Sequence, residues 1–489
     1  MHNSSSTIAI CGKWRGFYAF CEPERVPAPN WIKFNHSLAE ELGLTVRDFA
    51  TPEGANIFSG NVLPSGAASI AQVYAGHQFG SFSPQLGDGR ALLLGEVIDQ
   101  MGQRRDIQLK GSGRTPFSRN GDGKAATGPM LREYLMGEAM HYLGIPTTRA
   151  LAVVATGERV RRDTLLPGAV LTRVAASHIR IGTFEYFASL GEVEYVRRLA
   201  DYTIRRHYPE LIGQPCIKFL LGVMERQAQL VASWMSVGFI HGVMNTDNVA
   251  LSGETIDYGP CAFLENYDPA TVFSSIDHGG RYAFGNQPMI AQWNLARFAE
   301  TLLPLLDKDA KRAAQLATEA INMFPEQYET AWLAMMRCKM GLERAEDGDV
   351  KLAHEFLDAL QAGQADYTLA WRYLADAAEL NPSRLRSVFR GNIKKLDEWL
   401  PRWLARLEME NKSTAEVAAE MRLVNPYLIP RNHLVEQALE AASLNSDLGP
   451  FDQLLEALSD PYTERESVWL YAQPASFEQT ASYQTFCGT

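Results

Sequence analysis

The chain has 489 residues, of which 46% are hydrophobic and 21% are charged, and its formal net charge is −11. A chain of this length exceeds what one simple core organises, so we expect two lobes or two to three domains. The negative net charge argues against general nucleic-acid binding, which requires a broad basic surface.

The apolar and cysteine patterns exclude further classes of protein. No apolar run is long enough to span a bilayer, and residues 1–10 lack the basic and apolar regions of a signal peptide. No Cys-x-x-Cys pair occurs, which argues against a zinc ribbon and a disulfide scaffold. The six cysteines are Cys11, Cys21, Cys216, Cys261, Cys338 and Cys487. We therefore expect a cytoplasmic protein that has no membrane partner, and we expect a monomer.

The predicted elements, taken in chain order, change from mixed to β-rich to helical. The first 75 residues combine a short helix over 36–42 with loops rich in Pro and Gly. Apolar β-type runs then alternate with glycine-rich turns, and one helix over 130–143 interrupts them. These runs cover residues 91–97, 107–109, 151–154 and 169–174. From residue 195 helical periods dominate, with a strand–turn–strand over 249–256 among them.

This order of elements predicts an α+β fold rather than a doubly wound parallel sheet. We expect a nucleotide in the cleft between the β-rich and the helical lobe. The predicted boundaries give an N-terminal extension at 1–75, a small lobe at 76–174, a helical lobe at 175–440 and a C-terminal tail at 441–489.

A basic, glycine-rich segment is the first candidate binding site. Between residues 104 and 132 there are seven basic and two acidic residues, although the chain as a whole is acidic. Five glycines in the same segment would let backbone N–H groups approach phosphate oxygens. A solvated surface loop has the same composition, so this segment alone does not decide between the two.

Lys110 and Glu133 are candidates for a functional ion pair. Lys110 ends a strand-like run, and Glu133 lies on an apolar face of the following helix, where a carboxylate is costly without a cation. Protein kinases use such a pair to hold nucleotide phosphates. An ordinary exposed pair is the alternative.

The most informative segment runs from Phe239 to Asn248. His241 and Asn248 have the spacing of the kinase catalytic loop, and Asp257-Tyr258-Gly259 follows nine residues later, as the kinase D-F-G does. Val243, however, stands where the kinase base Asp is expected, and an acidic residue appears instead at Asp247. The alternative is a pseudokinase that binds ATP without chemistry.

Five longer motifs indicate a family. Together they resemble the selenoprotein O family of protein adenylyltransferases, over essentially the whole chain, in a bacterial-type member with Cys in place of selenocysteine. The motifs lie at 74–80 (YAGHQFG), 85–91 (QLGDGRA), 108–113 (QLKGSG), 241–248 (HGVMNTDN) and 425–433 (NPYLIPRNH).

The resemblance implies a protein-kinase-like, two-lobed fold that binds ATP in a flipped orientation. It implies Asp247 as the catalytic base, Asn248 and Asp257 as ligands of Mg²⁺ or Mn²⁺, and Glu133 as the partner that positions Lys110. The nucleotide-binding residues that it implies are Gly87, Gly89, Arg90, Lys110, Asp122, Gly123, Arg173, Arg180 and Asp257.

The function implied is transfer of AMP from ATP to Ser, Thr or Tyr hydroxyls of proteins, with UMP transfer as a possible further reaction. The alternatives are a kinase-type phosphotransferase and the non-catalytic pseudokinase. In some bacterial members a tail cysteine bonds to the activation-loop region. This chain has Cys487 in the tail but Phe273 at the matching loop position, and the thiol nearest to that loop is Cys261.

Overall fold

The computed structural model describes residues 16–486 and contains a large antiparallel sheet and two short ribbons. The strands are β1 (Tyr18–Phe20), β2 (Asn30–Phe34), β3 (Ile70–Gln72), β4 (Gly76–Gln78), β5 (Ser81–Ser83), β6 (Ala91–Ile98), β7 (Arg104–Lys110), β8 (Arg149–Arg161), β9 (Leu165–Ala175), β10 (Phe239–Ile240) and β11 (Ala262–Phe263).

Seven strands form the large sheet, in the order β1-β3-β6-β7-β9-β8-β2. Every neighbouring pair is antiparallel; β6–β7 and β8–β9 are hairpins, and the other pairs join strands that are distant in the chain. Residues 18–20, 30–34 and 70–72, which the predicted boundaries leave in an N-terminal extension, supply three of its strands. The register pairs Lys110 with Leu171 and Gln108 with Arg173, which places Lys110 and Arg173 diagonally on one face.

Helices make up most of the rest of the chain. Those before residue 150 are α1 (His36–Glu41), α2 (Val46–Phe49), α3 (Pro52–Phe58) and α4 (Thr127–Tyr142). The later ones are α5 (Ile181–Ser189), α6 (Val193–His207), α7 (Cys216–Val237), α8 (Gln287–Leu306), α9 (Ala310–Ile321), α10 (Phe324–Lys339), α11 (Asp349–Ala362), α12 (Tyr367–Ala378), α13 (Ser383–Ser387), α14 (Lys394–Leu407), α15 (Thr414–Val424), α16 (Asn432–Leu444), α17 (Gly449–Leu458), α18 (Trp469–Ala472) and α19 (Phe477–Ser482).

The prediction of an α+β fold is confirmed. We call the sheet with α1–α4 the small lobe and the helices from α5 onward the large lobe. One continuous hydrophobic core joins the lobes. Among the described residues, no helix is long and apolar enough to cross a membrane.

Helix α4 connects the sheet to the C-terminal helices. It packs on β8 and β9 on one side and on α16 and α17 on the other, so apolar residues surround its axis instead of forming one stripe. Glu133 and Glu138 are buried in this helix, and each contacts a cation, Lys110 and Arg149 respectively. The helix therefore presents Glu133 to the sheet in a fixed position.

The predicted strand–turn–strand over 249–256 is wrong. Residues 251–253 do form a turn, but the flanking segments do not pair with each other. Ala250 instead bridges Arg180, and Thr255 bridges Thr147. Partners distant in sequence offered these backbone groups better pairing than a two-stranded hairpin, which is only marginally stable alone.

Candidate active site

A cleft of about 1590 Å³ lies between the lobes, and every nucleotide- and metal-site residue predicted from the sequence lines it. These residues come from both lobes and from elements far apart in the chain. They are Gly87, Gly89, Arg90, Lys110, Asp122, Gly123, Glu133, Arg173, Arg180, Asp247, Asn248 and Asp257.

Five charged side chains form a cluster at the centre of this cleft. Lys110 Nζ lies 2.6 Å from Glu133 Oε2 and 3.1 Å from Asp257 Oδ1. Arg173 Nη1 donates to Asp257 Oδ1 at 2.8 Å, and its Nε lies 3.2 Å from Glu133 Oε1. Arg180 Nη1 donates to Asp257 Oδ2 at 2.6 Å. Three cations therefore surround two carboxylates, which leaves one positive charge in excess.

The cations determine the protonation of both carboxyls. Burial alone would raise the pKa of Glu133, but Arg173 and Lys110 hold it below its ordinary value. Burial likewise opposes ionisation of Asp257, but Arg173, Arg180 and Lys110 hold its pKa well below the ordinary value. Both carboxylates are thus ionised and available to a metal or to the cations.

The turn that follows His241 places two more of the predicted residues. Thr246–Asn248 form one 3₁₀ turn, and Arg180 Nη1 donates to the Asp247 carbonyl at 2.6 Å. Asp247 Oδ1 is buried and accepts no hydrogen bond from the described residues. Burial raises the pKa of Asp247 to about 6, against the effect of Arg180. Oδ1 packs against Gly76, where an added Cβ would lie 2.6 Å away, and Oδ2 accepts from Gln78 Nε2 at 3.4 Å.

Asn248 and Asp257 offer oxygen ligands suited to a hard divalent cation. The Asn248 amide nitrogen donates to the Val243 carbonyl at 3.0 Å, which leaves the amide oxygen as a donor for a metal. Among residues 16–486, no group of three or more His, Cys, Asp or Glu side chains could form a complete metal site. Mg²⁺ commonly uses one or two protein ligands together with substrate phosphates, and the two residues fit that pattern.

The glycine-rich segment forms one wall of the cleft. Gly113 N–H donates to the Gly123 carbonyl at 3.0 Å, and a Cβ on Gly123 would lie 2.0 Å from the Gly113 oxygen. The two glycines therefore allow the loop to close on itself. Asp122 accepts from Arg162 Nη1 at 2.9 Å, a partner that the sequence did not indicate.

Sequence reasoning missed two residues beside the cluster, the half-buried Tyr74 and the buried Asp88. Tyr74 lies under the Arg180 guanidinium, 4.8 Å from its ring centroid. Asp88 accepts from the backbone of Gln72 at 3.0 Å, and burial raises its pKa to about 6. Both lie within the motifs at 74–80 and 85–91, and Asp88 stands between the predicted Gly87 and Gly89, which was the available signal.

With this geometry established, comparison with known proteins identifies the family. The family model described as protein adenylyltransferase SelO matches residues 3–459. The chain belongs to the SelO family. It is similar to proteins named protein nucleotidyltransferase YdiU from three bacteria. Identity is 60% for Cereibacter sphaeroides (strain ATCC 17029 / ATH 2.4.9), over 97% of both chains. Identity is 59% for the Chromobacterium violaceum protein, over 96% of this chain and 99% of the relative. It is 54% for the Rhodopseudomonas palustris (strain HaA2) protein, over 97% of this chain and 96% of the relative.

Membership of the SelO family confirms the predicted nucleotidyltransferase enzyme and the kinase-like fold. It also supports nucleotide transfer to proteins as the class of reaction. The individual roles of the residues that line the cleft, the orientation of the nucleotide and the metal stay predictions.

The two predicted redox cysteines differ in what the structure shows of them. Cys261 is fully buried, and burial raises the pKa of its thiol to about 11, which disfavours the reactive thiolate. Cys487 lies outside the described residues. Phe273 contacts the tail through the Tyr483 ring, with centroids 5.5 Å apart, and its carbonyl accepts from Thr485 N–H at 2.8 Å. The tail is therefore held to the loop without a disulfide at this position.

Proposed function

We propose that this protein transfers AMP from ATP to Ser, Thr or Tyr hydroxyls of other proteins and releases pyrophosphate. The observation that carries the proposal is the convergence of Lys110, Arg173 and Arg180 on Asp257, in the cleft that Asp247 also lines. The terminal phosphates carry most of the negative charge of ATP, so the cationic cluster favours them. The α-phosphorus then faces Asp247.

The reaction is an in-line displacement at the α-phosphorus. The acceptor oxygen forms a bond to this phosphorus, and the bond to the oxygen that bridges the α- and β-phosphorus breaks. Pyrophosphate leaves with the electron pair, and the hydroxyl proton passes to the Asp247 carboxylate. Lys110, Arg173 and Arg180 stabilise the charge that develops on pyrophosphate.

Asn248 and Asp257 would hold the divalent cation, Mg²⁺ or Mn²⁺, which supplies further neutralisation of phosphate charge when bound. Glu133 keeps Lys110 and Arg173 in place, because one carboxylate oxygen lies beside each cation. Val243 is buried and apolar at the position of the kinase base, which argues against phosphate transfer by the kinase route. The described cysteines are unpaired, which agrees with a reducing cytoplasm.

Labelled nucleotides separate this function from its alternatives. With Mg²⁺ or Mn²⁺, we expect label from α-labelled ATP in protein, none from γ-labelled ATP, and a mass gain on Ser, Thr or Tyr equal to AMP. Label from the γ position alone would establish a kinase-type phosphotransferase. Metal-dependent ATP binding without label from either would establish a pseudokinase. α-labelled UTP tests whether UMP is also transferred.

A further inference from the structure

The turn that carries Asp247 and Asn248 is held by a closed ring of hydrogen bonds. The Thr246 hydroxyl accepts from the His77 backbone N–H at 2.7 Å and donates to Glu185 Oε2 at 2.5 Å. The other carboxylate oxygen, Glu185 Oε1, lies 2.5 Å from His77 Nδ1. We call His77, Glu185 and Thr246 the positioning ring. It joins strand β4, helix α5 and the turn.

The positioning ring lies behind the cleft and does not form its wall. Thr246 and Glu185 are 0% and 4% exposed, and the cleft lining includes Asp247 and Asn248 but none of the three ring residues. Buried polar groups of this kind are costly unless every hydrogen bond is made. Thr246 and Glu185 do not line the nucleotide cleft, so we attribute their burial to the hydrogen bonds that hold the adjoining turn.

The hairpin of β4 and β5 shows that the turn is held with little freedom. Phe79 and Gly80 connect the strands with positive φ values of 52° and 85°, and a non-glycine residue is strained in that region. The Phe79 N–H donates to Asn245 Oδ1 at 3.0 Å, so alternate amides of the hairpin bind successive side chains of the catalytic loop. Strain of this kind persists only where surrounding contacts maintain it.

Steric contacts leave the base no room to shift toward the hairpin. A Cβ on Gly76 would lie 2.6 Å from Asp247 Oδ1, and a Cβ on Gly182 would lie 2.2 Å from the Ala75 carbonyl. Glycine at both positions lets β4 and the start of α5 approach the turn closely. The backbone thus limits Asp247 from one side while the positioning ring holds the preceding residue.

We propose that Glu185 is a positioning residue for the transfer reaction. Through Thr246 it sets the place of the Asp247 carboxylate, without contacting either substrate. The proposal rests on the proposed function, because it assigns Asp247 to the acceptor hydroxyl. A misplacement of about 1 Å at a reacting group can lower a rate on the order of 10²-fold.

The test compares Thr246→Val, which is isosteric with the parent, and Thr246→Ser, which keeps the hydroxyl but lacks the methyl group, in the full chain. Thr246→Val removes both hydrogen bonds of the hydroxyl and should lower transfer from α-labelled ATP to casein on the order of 10²-fold in kcat. Thr246→Ser keeps the hydroxyl and should retain most of the rate. Both variants should bind α,β-methylene ATP, measured by calorimetry with Mg²⁺, as the parent does.

Two further variants complete the design. Thr203→Val removes another buried hydroxyl, one that bonds only within α6, and should leave kcat unchanged. Glu185→Leu should behave as Thr246→Val does, and Glu185→Gln, which still offers an acceptor to Thr246, should be less affected.

Three results would overturn the proposal. They are full activity of Thr246→Val, equal losses in Thr246→Ser and Thr246→Val, and weaker nucleotide binding that accounts for the loss of rate. If the parent itself transfers no AMP, the proposed function has failed, and the nucleotide-binding data still report whether the turn affects the ligand.

Discussion

Replacing Asp257 with Asn tests the charge cluster and the metal site in one variant. Asn matches Asp in size but carries no charge, so the cluster changes from three cations with two anions to three cations with one. Its net charge rises from +1 to +2 within a buried site. We expect a loss of transfer by about 10²–10³-fold, because a metal ligand and the anchor of three cations are both removed.

The structure also gives the magnitude of the stability change. Removing one partner of a buried ion pair costs about 3–5 kcal/mol, and Asp257 contacts Lys110, Arg173 and Arg180 within 3.1 Å. The entropy of unfolding is about 2.1 cal/mol/K per residue, which gives about 1 kcal/mol/K for 489 residues. The melting temperature should therefore fall by about 3–5 °C.

The assay is thermal melting with and without ATP, in EDTA, beside labelling from α-labelled ATP with metal. The metal-free triphosphate should raise the melting temperature of Asp257→Asn more than that of the parent, because it replaces the missing anion. Asp201→Asn, an exposed carboxylate on α6, is the matched control. Unchanged melting and an unchanged ATP response would show that the cations do not depend on Asp257, and retained transfer would refute the metal assignment.

Four further substitutions test other parts of the molecule. Lys110→Met should abolish transfer and Glu133→Gln should weaken it by misplacing Lys110; full transfer by either variant in the labelling assay would reject their pairing as functional. Gly76→Ala should displace Asp247 and lower transfer while calorimetry shows unchanged nucleotide binding; weaker binding instead would place the effect elsewhere. Burial lowers the pKa of Lys339 from 10.5 to about 7. Protonation of Lys339 therefore destabilises the folded state below pH 10.5, and the destabilisation is greatest at pH 7 and below. Lys339→Met should therefore increase the free energy of unfolding in urea most at pH 7 and below, with the gain fading as pH rises to 10.5; a gain independent of pH would contradict this account.

The sequence was sufficient for strands β6 to β9, for helix α4 and for the pair of Lys110 with Glu133. All follow from local patterns, since a strand, a helix and the burial of a carboxylate can be recognised within about 30 residues. The strands β1 and β3 could not be predicted in the same way. They are three residues long and lie among Pro- and Gly-rich loops, so only their pairing with the sheet makes them strands.

The contacts of the site required the fold. Arg173 and Arg180 were assigned by resemblance, but no sequence pattern showed that both converge on Asp257, 84 and 77 residues away in the chain. The positioning ring is more distant still, with 169 residues between His77 and Thr246. Short polar side chains such as that of Thr246 usually hydrogen-bond to nearby backbone groups at helix caps and turns. A long-range partner of such a residue therefore cannot be recognised from one sequence.

The attachment of the β4–β5 hairpin to the large lobe has a consequence for how the cleft can open. Ala75 N–H donates to the Gly182 carbonyl at 2.9 Å, so with the bonds of His77 and Phe79 a continuous row of hydrogen bonds joins the hairpin to the large lobe beside Asp247. Opening the cleft on this side would require breaking these three hydrogen bonds. The loop over residues 111–124 is instead fastened to Glu158 and Arg162 of the small lobe, so its contacts are independent of the bonds that hold the hairpin.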